Sequence, residues 1–313
     1  MTAGKGTLMK RTVAALSLFL LLLLPLAGLS QDLEVHFINV GQGDAILIKT
    51  PENKAILIDA GIHFAPGDVY SPFGYLKTHG VNRLDAIFIT HPHDDHYKGF
   101  EYLCMKNGEK EYPVGNVYYS VENGPGYGKF QTCLNEIIAR SEEHGQVSAR
   151  GPPLDFGDVK FTILYPKEPI TLPSKNKNLD SIVMKVTYKN VSFMFTGDSE
   201  KEVEKRLDQD LKATVLKVGH HGSSTSTGKP FLELVAPELA VISCNDQDGK
   251  GKRYGHPHAP TLNTLKDHHV ILHRTDLSGN IVMKTDGDKI TVSMDTDVPQ
   301  DSEKLWEPGK KAK

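Results

Sequence analysis

Three histidines and two aspartates fall within the six residues His91-Pro92-His93-Asp94-Asp95-His96, directly after Thr90 and the apolar run Ala86-Ile87-Phe88-Ile89. An apolar run of that length and composition reads as a strand, so the polar cluster sits where a strand ends and a loop begins. Imidazole and carboxylate are the donors that bind Zn²⁺ and similar divalent ions. The spacing His-x-His-x-Asp-His offers more donors than one tetrahedral ion can take, which points to two adjacent metals. A chain that must deliver this cluster needs a rigid sheet rim to carry it, and the rest of the sequence supplies matching pieces.

Val191-Ser192-Phe193-Met194-Phe195 is an apolar strand followed by Thr196-Gly197-Asp198, and Thr214-Val215-Leu216-Lys217-Val218 is another that runs into Gly219-His220-His221-Gly222-Ser223. An earlier strand, Ala55-Ile56-Leu57-Ile58, ends in Asp59-Ala60-Gly61. Four strands that each leave a polar group at the carboxyl end describe an α/β protein whose site lies along one rim of a sheet. Helical stretches such as Phe130 to Arg140 alternate with these runs, which suits that architecture. Residues 32–50 and 181–196 each read as a pair of strands, so part of the sheet is expected to be antiparallel.

These stretches resemble the metallo-β-lactamase-fold hydrolases, and among them the soluble catalytic domain of ComEC-type competence proteins. The resemblance is carried by Val40-Gly41-Gln42-Gly43-Asp44, Leu57-Ile58-Asp59-Ala60-Gly61, the His91–His96 cluster with Gly99, Phe195-Thr196-Gly197-Asp198 and Lys217-Val218-Gly219-His220-His221-Gly222-Ser223. Tyr254-Gly255-His256-Pro257 and Thr275-Asp276-Leu277-Ser278-Gly279 complete it. It implies a four-layer αβ/βα sandwich of mixed sheets with a dinuclear metal centre. It implies that His91 and His93 bind the first metal and Asp95 and His96 the second, with Asp198 bridging both. One histidine of the His220-His221 pair completes the second site. Strand alternation favours His221 slightly, and the sequence leaves the choice open. Many members give the first metal a third histidine, yet none occurs here between Tyr165 and Gly219. Asp180, just before a strand, is the expected substitute, and an oxygen donor there would shift preference from Zn²⁺ toward Mn²⁺ or Mg²⁺; it equally fits a simple turn residue.

Chemistry of that kind activates water between two divalent ions, Zn²⁺ or Mn²⁺, with Asp95 and Asp198 orienting the nucleophile and accepting its proton. Asp59 is expected to hydrogen-bond a ligand histidine from behind. Ser223 and Ser224, in a Gly-Ser-Ser-Thr-Ser loop, and Tyr254 and His256, in a later loop, are candidate substrate contacts. The reading favours a metal-dependent phosphodiesterase or nuclease. A β-lactamase- or lactonase-type hydrolase and a non-catalytic DNA-handling module are the alternatives.

Residues 1–30 have the order of a secretory signal: basic Lys5, Lys10 and Arg11, an apolar run from Thr12 to Leu24, then Pro25 and small residues up to Ser30. An uncleaved anchor is the competing reading. The sequence therefore divides into a signal (1–30), one hydrolase domain (31–298) and a disordered tail (299–313) containing Lys310, Lys311 and Lys313. Export to the periplasm or beyond is expected, with no stable membrane insertion once the signal is removed. Losing the three basic residues of the signal takes the formal charge from −3 to −6, which disfavours a long duplex footprint. A phosphodiester or nucleic-acid substrate held through few phosphates remains compatible with it. Cys104, Cys133 and Cys244 are three in number; a Cys104–Cys133 disulfide and three free thiols are equally open.

Overall fold

The computed structural model describes residue 1 and residues 32–65, 67–104, 112–245 and 254–310. The signal-like segment from residue 2 to 31 and the lysine- and arginine-bearing stretch Gly249-Lys250-Gly251-Lys252-Arg253 lie outside the described residues. No helix among those described is long and apolar enough to cross a membrane.

The first half of the chain forms β1 (Leu33–Phe37), β2 (Ile46–Lys49), β3 (Ala55–Ile58), α1 (Pro72–Thr78), β4 (Leu84–Ile89), α2 (Asp94–Tyr97), α3 (Glu101–Cys104), β5 (Val114–Tyr119), α4 (Gly128–Ile138) and β6 (Ser141–Gln146). The second half forms β7 (Leu154–Phe156), β8 (Val159–Tyr165), β9 (Val183–Tyr188), β10 (Val191–Phe195), α5 (Lys201–Glu204), β11 (Val215–Lys217), α6 (Lys229–Val235), β12 (Leu239–Ile242), α7 (Ala259–Asp267), β13 (Ile271–Arg274), α8 (Thr275–Ser278), β14 (Ile281–Thr285) and β15 (Ile290–Met294). One sheet has the order β15-β14-β1-β2-β3-β4-β5-β6 and the other β13-β12-β11-β10-β9-β8-β7.

The two halves share a plan. Antiparallel β1-β2-β3 leads into parallel β3-β4-β5-β6, and antiparallel β8-β9-β10 leads into parallel β10-β11-β12-β13. The paired-strand reading of residues 32–50 and 181–196 is met by the β1–β2 and β9–β10 pairs. Parallel neighbours end at the same rim, so β3 with β4, and β10 with β11, present their carboxyl ends together.

Side-chain alternation makes four layers. Leu57 of β3 and Ile87 and Ile89 of β4 pack outward under α1 and α4, with Phe73, Leu76, Phe130 and Leu134. Their neighbours Ile56, Ile58, Ala86 and Phe88 turn inward to meet Phe161, Met184, Phe193 and Phe195 of the second sheet. On that sheet's far face, Met194, Leu216, Ala240 and Leu272 pack under Phe231, Leu232, Leu262 and Leu265 of α6 and α7. Phe88 stacks on Phe161 across the interface with ring centroids 5.6 Å apart. Strands buried on both faces read as continuous apolar runs rather than alternating ones, as the runs in this sequence do. The chain is an αβ/βα sandwich, as the resemblance implied.

The tail differs from expectation. Residues 303–306 form a short 3-10 turn with Leu305 buried. The buried Arg274 guanidinium donates to the carbonyls of Leu305 at 3.0 Å and Glu307 at 2.6 Å, and the Gly309 amide donates to the Pro257 carbonyl at 2.9 Å. A buried guanidinium has five donors to satisfy, and this segment supplies acceptors. Composition alone marked the segment as solvated. All three cysteines are free thiols.

Candidate metal centre

Backbone hydrogen bonds sew the loops after β1, β3 and β4 into one piece. The Asp44 amide donates to the Asp95 carbonyl (3.2 Å), Gly61 to Asp44 (2.8 Å), Ala60 to His96 (2.7 Å) and Gly99 to Gly61 (2.8 Å). Gly43, at φ +147, lies so close to the Asp95 carbonyl that a Cβ would overlap it, and Gly99 has the same relation to Ala60. Both positions require glycine because two backbones meet there.

Asp198, buried at the end of β10, is the hub. Its Oδ1 lies 3.2 Å from His96 Nε2 and 3.4 Å from His221 Nε2, and Asp95 Oδ2 lies 3.4 Å from the same His221 nitrogen. Its Oδ2 lies 3.8 Å from His91 Nε2 and 3.6 Å from His220 Nε2. His93 Nδ1 is 2.9 Å from His91 Nε2. The donors fall into two groups, Asp95-His96-Asp198-His221 and His91-His93-Asp198, each with its atoms within 4.8 Å of one another. One oxygen of Asp198 serves each group.

The chemistry of the donors fits divalent cations. His96 Nε2, His221 Nε2 and Asp198 Oδ1 are buried and have no hydrogen-bond partner, a costly state for polar atoms unless something else binds them. Burial would lower the His221 pKa, but the carboxylates of Asp198 and Asp44 outweigh it and push it up to about 10. Burial likewise opposes a charged His96, and Asp198 and Asp59 raise it well above the ordinary histidine value. Burial would raise Asp198, yet His221, His96 and His220 hold it well below the carboxylate range. Carboxylates so concentrated demand positive charge, which metal ions supply in place of protons.

The imidazoles of the first of these groups are backed by carboxylates. His96 Nδ1 donates to Asp59 Oδ2 at 2.8 Å, while Asp59 also accepts from the Thr90 amide (2.8 Å) and hydroxyl (2.7 Å). His221 Nδ1 donates to the Ser243 carbonyl at 2.9 Å and lies 3.4 Å from Asp44 Oδ1. Such partners fix the ring and present Nε2. Asp44 in turn pairs with the buried Lys217 ammonium at 2.9 Å. Burial would raise Asp44, but Lys217 and His221 draw it down to about 2. Sequence reading assigned no role to Asp44 or Lys217. The signal was there: a lysine inside the apolar strand Val215-Leu216-Lys217-Val218 requires a buried anion.

The expectation for Asp180 is corrected. Its carboxylate accepts from the Ser174 amide at 3.0 Å and the Tyr127 hydroxyl at 3.4 Å, and it belongs to neither donor group. The turn before β9 aims it at its own loop. Ser223 and Ser224 are also occupied. Ser223 Oγ accepts from the Thr225 amide at 3.3 Å, and Ser224 uses its amide and hydroxyl on His258 Nδ1 at 3.0 and 3.2 Å. Neither lines the cavity of about 670 Å³ that opens over the donors. Tyr254 and His256 do, with Gln42, Lys177, Asn178 and His220 among its other walls. The Gln42 side-chain amide donates to His256 Nδ1 at 3.2 Å, which leaves the hydrogen on Nε2. Burial, then His221 and His220, lower His256 to about 3, so it acts as a neutral hydrogen-bonding ring rather than an imidazolium.

A family model for the metallo-beta-lactamase superfamily matches residues 38–245. The chain belongs to that superfamily. ComE operon protein 3 of Bacillus subtilis (strain 168) is 33% identical over 283 residues, covering 84% of this chain and 34% of that protein. Competence protein ComA of Neisseria gonorrhoeae is 30% identical over 249 residues, 77% of this chain and 30% of that one. The chain thus spans about a third of the length of these curated relatives. A solved structure, the CmlA beta-hydroxylase E377D mutant, superposes with a TM-score of 0.51 at 12% identity, over 81% of this chain and 54% of that one. It shares the superfamily fold. Superfamily, fold and donor clusters together make this chain a hydrolase whose His and Asp residues are built to bind divalent metal.

Proposed function

We propose that the chain is an exported phosphodiesterase or nuclease that holds two divalent ions, Zn²⁺ or Mn²⁺, at the Asp198 hub. The observation that carries the reading is the composition of the cavity wall: a cation and neutral hydrogen-bonding groups face the carboxylate-bearing donors. Lys177 Nζ, 3.3 Å from the Pro92 carbonyl and 4.5 Å above the Tyr127 ring, stands at that wall as a positive charge for a phosphate oxygen. A relative named as a competence protein favours a nucleic-acid substrate, and the acidic formal charge favours one gripped through few phosphates.

His91, His93 and Asp198 would hold one ion, and Asp95, His96, Asp198 and His221 the other. Two such ions lower the pKa of water and offset negative charge on a phosphoryl group. Asp95, partly exposed beside the cavity, is placed to orient the attacking water and take its proton. Asp59 and Asp44 keep the His96 and His221 rings in one orientation. His256 presents Nε2–H to a substrate oxygen, and Lys177 positions the diester. The basic start and apolar run of residues 1–30 support export, with Gln31 as the new N-terminus.

The test is hydrolysis by purified protein, stripped and reloaded with Mn²⁺, Zn²⁺ or Mg²⁺, of bis(4-nitrophenyl) phosphate, single-stranded DNA, a cephalosporin and a lactone. Metal-dependent cleavage of the diesters is expected. Hydrolysis of the lactam or lactone with no diester cleavage would overturn the assignment. Mass spectrometry of material from the native compartment checks export, and a retained full-length chain refutes it.

A further inference from the structure

The His91-His93-Asp198 group has three donor residues where its neighbour has four, and Asp180, the residue expected to complete it, is engaged elsewhere. We propose that His220 completes it, so that the two adjacent histidines of one turn each bind a different ion. The proposal rests on the dinuclear reading and extends it.

Reach comes first. His220 Nε2 is 3.6 Å from Asp198 Oδ2, the oxygen that also faces His91 Nε2 at 3.8 Å. Nitrogen and oxygen donors bound at about 2.0–2.1 Å to a tetrahedral ion stand about 3.4 Å apart, so these separations need only a small contraction. The far side of the ring is also arranged as for a ligand. His220 Nδ1 lies 3.1 Å from the Thr225 hydroxyl and 3.8 Å from Glu200 Oε1. With Nδ1–H donated to Thr225, Nε2 is left as a lone-pair donor toward Asp198.

Backbone geometry supplies the third argument. Neighbours in a strand point to opposite faces, so a regular strand end could offer only one histidine to the cavity. Here His220 (φ 50, ψ 48) and His221 (φ 53, ψ 26) are both left-handed, a conformation non-glycine residues avoid. The result is that both rings lie beside the cavity, 6.1 Å apart, one against each oxygen of Asp198. A turn that needed only His221 would have no reason to hold His220 in this conformation as well.

Metal content decides the matter. Chelated protein reloaded with Zn²⁺ and desalted should carry two ions per chain, His220→Asn one, and Asp180→Asn two. Asparagine tolerates the left-handed backbone and is too short to reach. A His220→Asn protein with two ions at unchanged affinity overturns the proposal. A wild-type chain that takes up one ion or none overturns the dinuclear reading beneath it, a distinguishable outcome. Should His220→Asn misfold, the wild type answers alone. With ¹¹³Cd and ¹⁵N-labelled histidine, five coupled imidazoles are expected (His91, His93, His96, His220 and His221), and four without His220 overturn it.

Discussion

His96 and His221 reach Asp198 from a fully buried wall, and each has a carboxylate behind it, Asp59 for one and Asp44 for the other. His93 and His220 reach the same hub from the open side, half-buried, with a hydroxyl behind His220 rather than a closely held carboxylate. The difference comes from position in the fold. The enclosed group is assembled by the stitched loops of the first sheet pressed against β11. Of the open group, His93 and His220 line the cavity, where substrate must enter, and His91 lies buried behind them. An enclosed group with charged backing should bind its ion tightly and hold its shape without it. An open group should exchange its ion more readily and respond to what occupies the cavity.

Asp198 is the single point where the groups meet, so its removal is the largest predicted effect. Asp198→Ala should empty both sites and lower diester hydrolysis by at least roughly 10⁴-fold, since water activation and charge neutralisation are each worth several kcal/mol. Retention of either ion at full occupancy in that variant would break the picture of a shared hub.

Lys217→Met tests the depth of the enclosed wall. It strands the Asp44 carboxylate without its counter-ion, and removing one partner of a buried pair destabilises by about 3–5 kcal/mol. Urea unfolding in the presence of chelator measures this; a change below about 1 kcal/mol would mean that water, not Lys217, satisfies Asp44.

Asp59→Asn and Asp44→Asn sharpen the comparison between groups. Each should weaken the tighter of two Zn²⁺ binding steps by roughly 10–100-fold and leave the weaker step alone, because only His96 and His221 lose their backing. Equal weakening of both steps would show that the groups are not built separately.

The smallest effect is on acid stability. Asp44 has a folded pKa of about 2 against an ordinary value of 3.8. A depressed carboxylate contributes stability that is fully present above the ordinary value and lost as pH falls through the folded one. In chelator, Asp44 should therefore account for roughly 2 kcal/mol of stability lost as pH drops through this window. Asp44→Asn should flatten the pH dependence there, and an unaltered slope would remove Asp44 from the account.

Much of this molecule is readable from local pattern. Continuous apolar runs ending in Asp59, His91, Asp198 and His220-His221 identify doubly buried strands with a polar rim, because side-chain period and burial act within a few residues. The tail was misread for the converse reason. Nothing local in Glu303 to Glu307 reveals that Arg274, far back in the chain, is buried and in need of carbonyl acceptors.

The residue types and spacing of the His-Asp cluster and the strands that carry it were determined by sequence alone, and the four-layer sandwich was what the family resemblance implied. Tertiary structure decided which polar groups point into the site. It turned Asp180 back onto Ser174 and Tyr127, spent Ser223 and Ser224 on their own loop, brought Asp44 and Lys217 under His221, and set both histidines of one turn against the two oxygens of Asp198. The physical reason is that a side chain's direction at a strand end depends on the backbone angles of one or two loop residues. Those angles are chosen by contacts with segments distant in sequence, and a one-residue turn exchanges a cavity ligand for a buried brace.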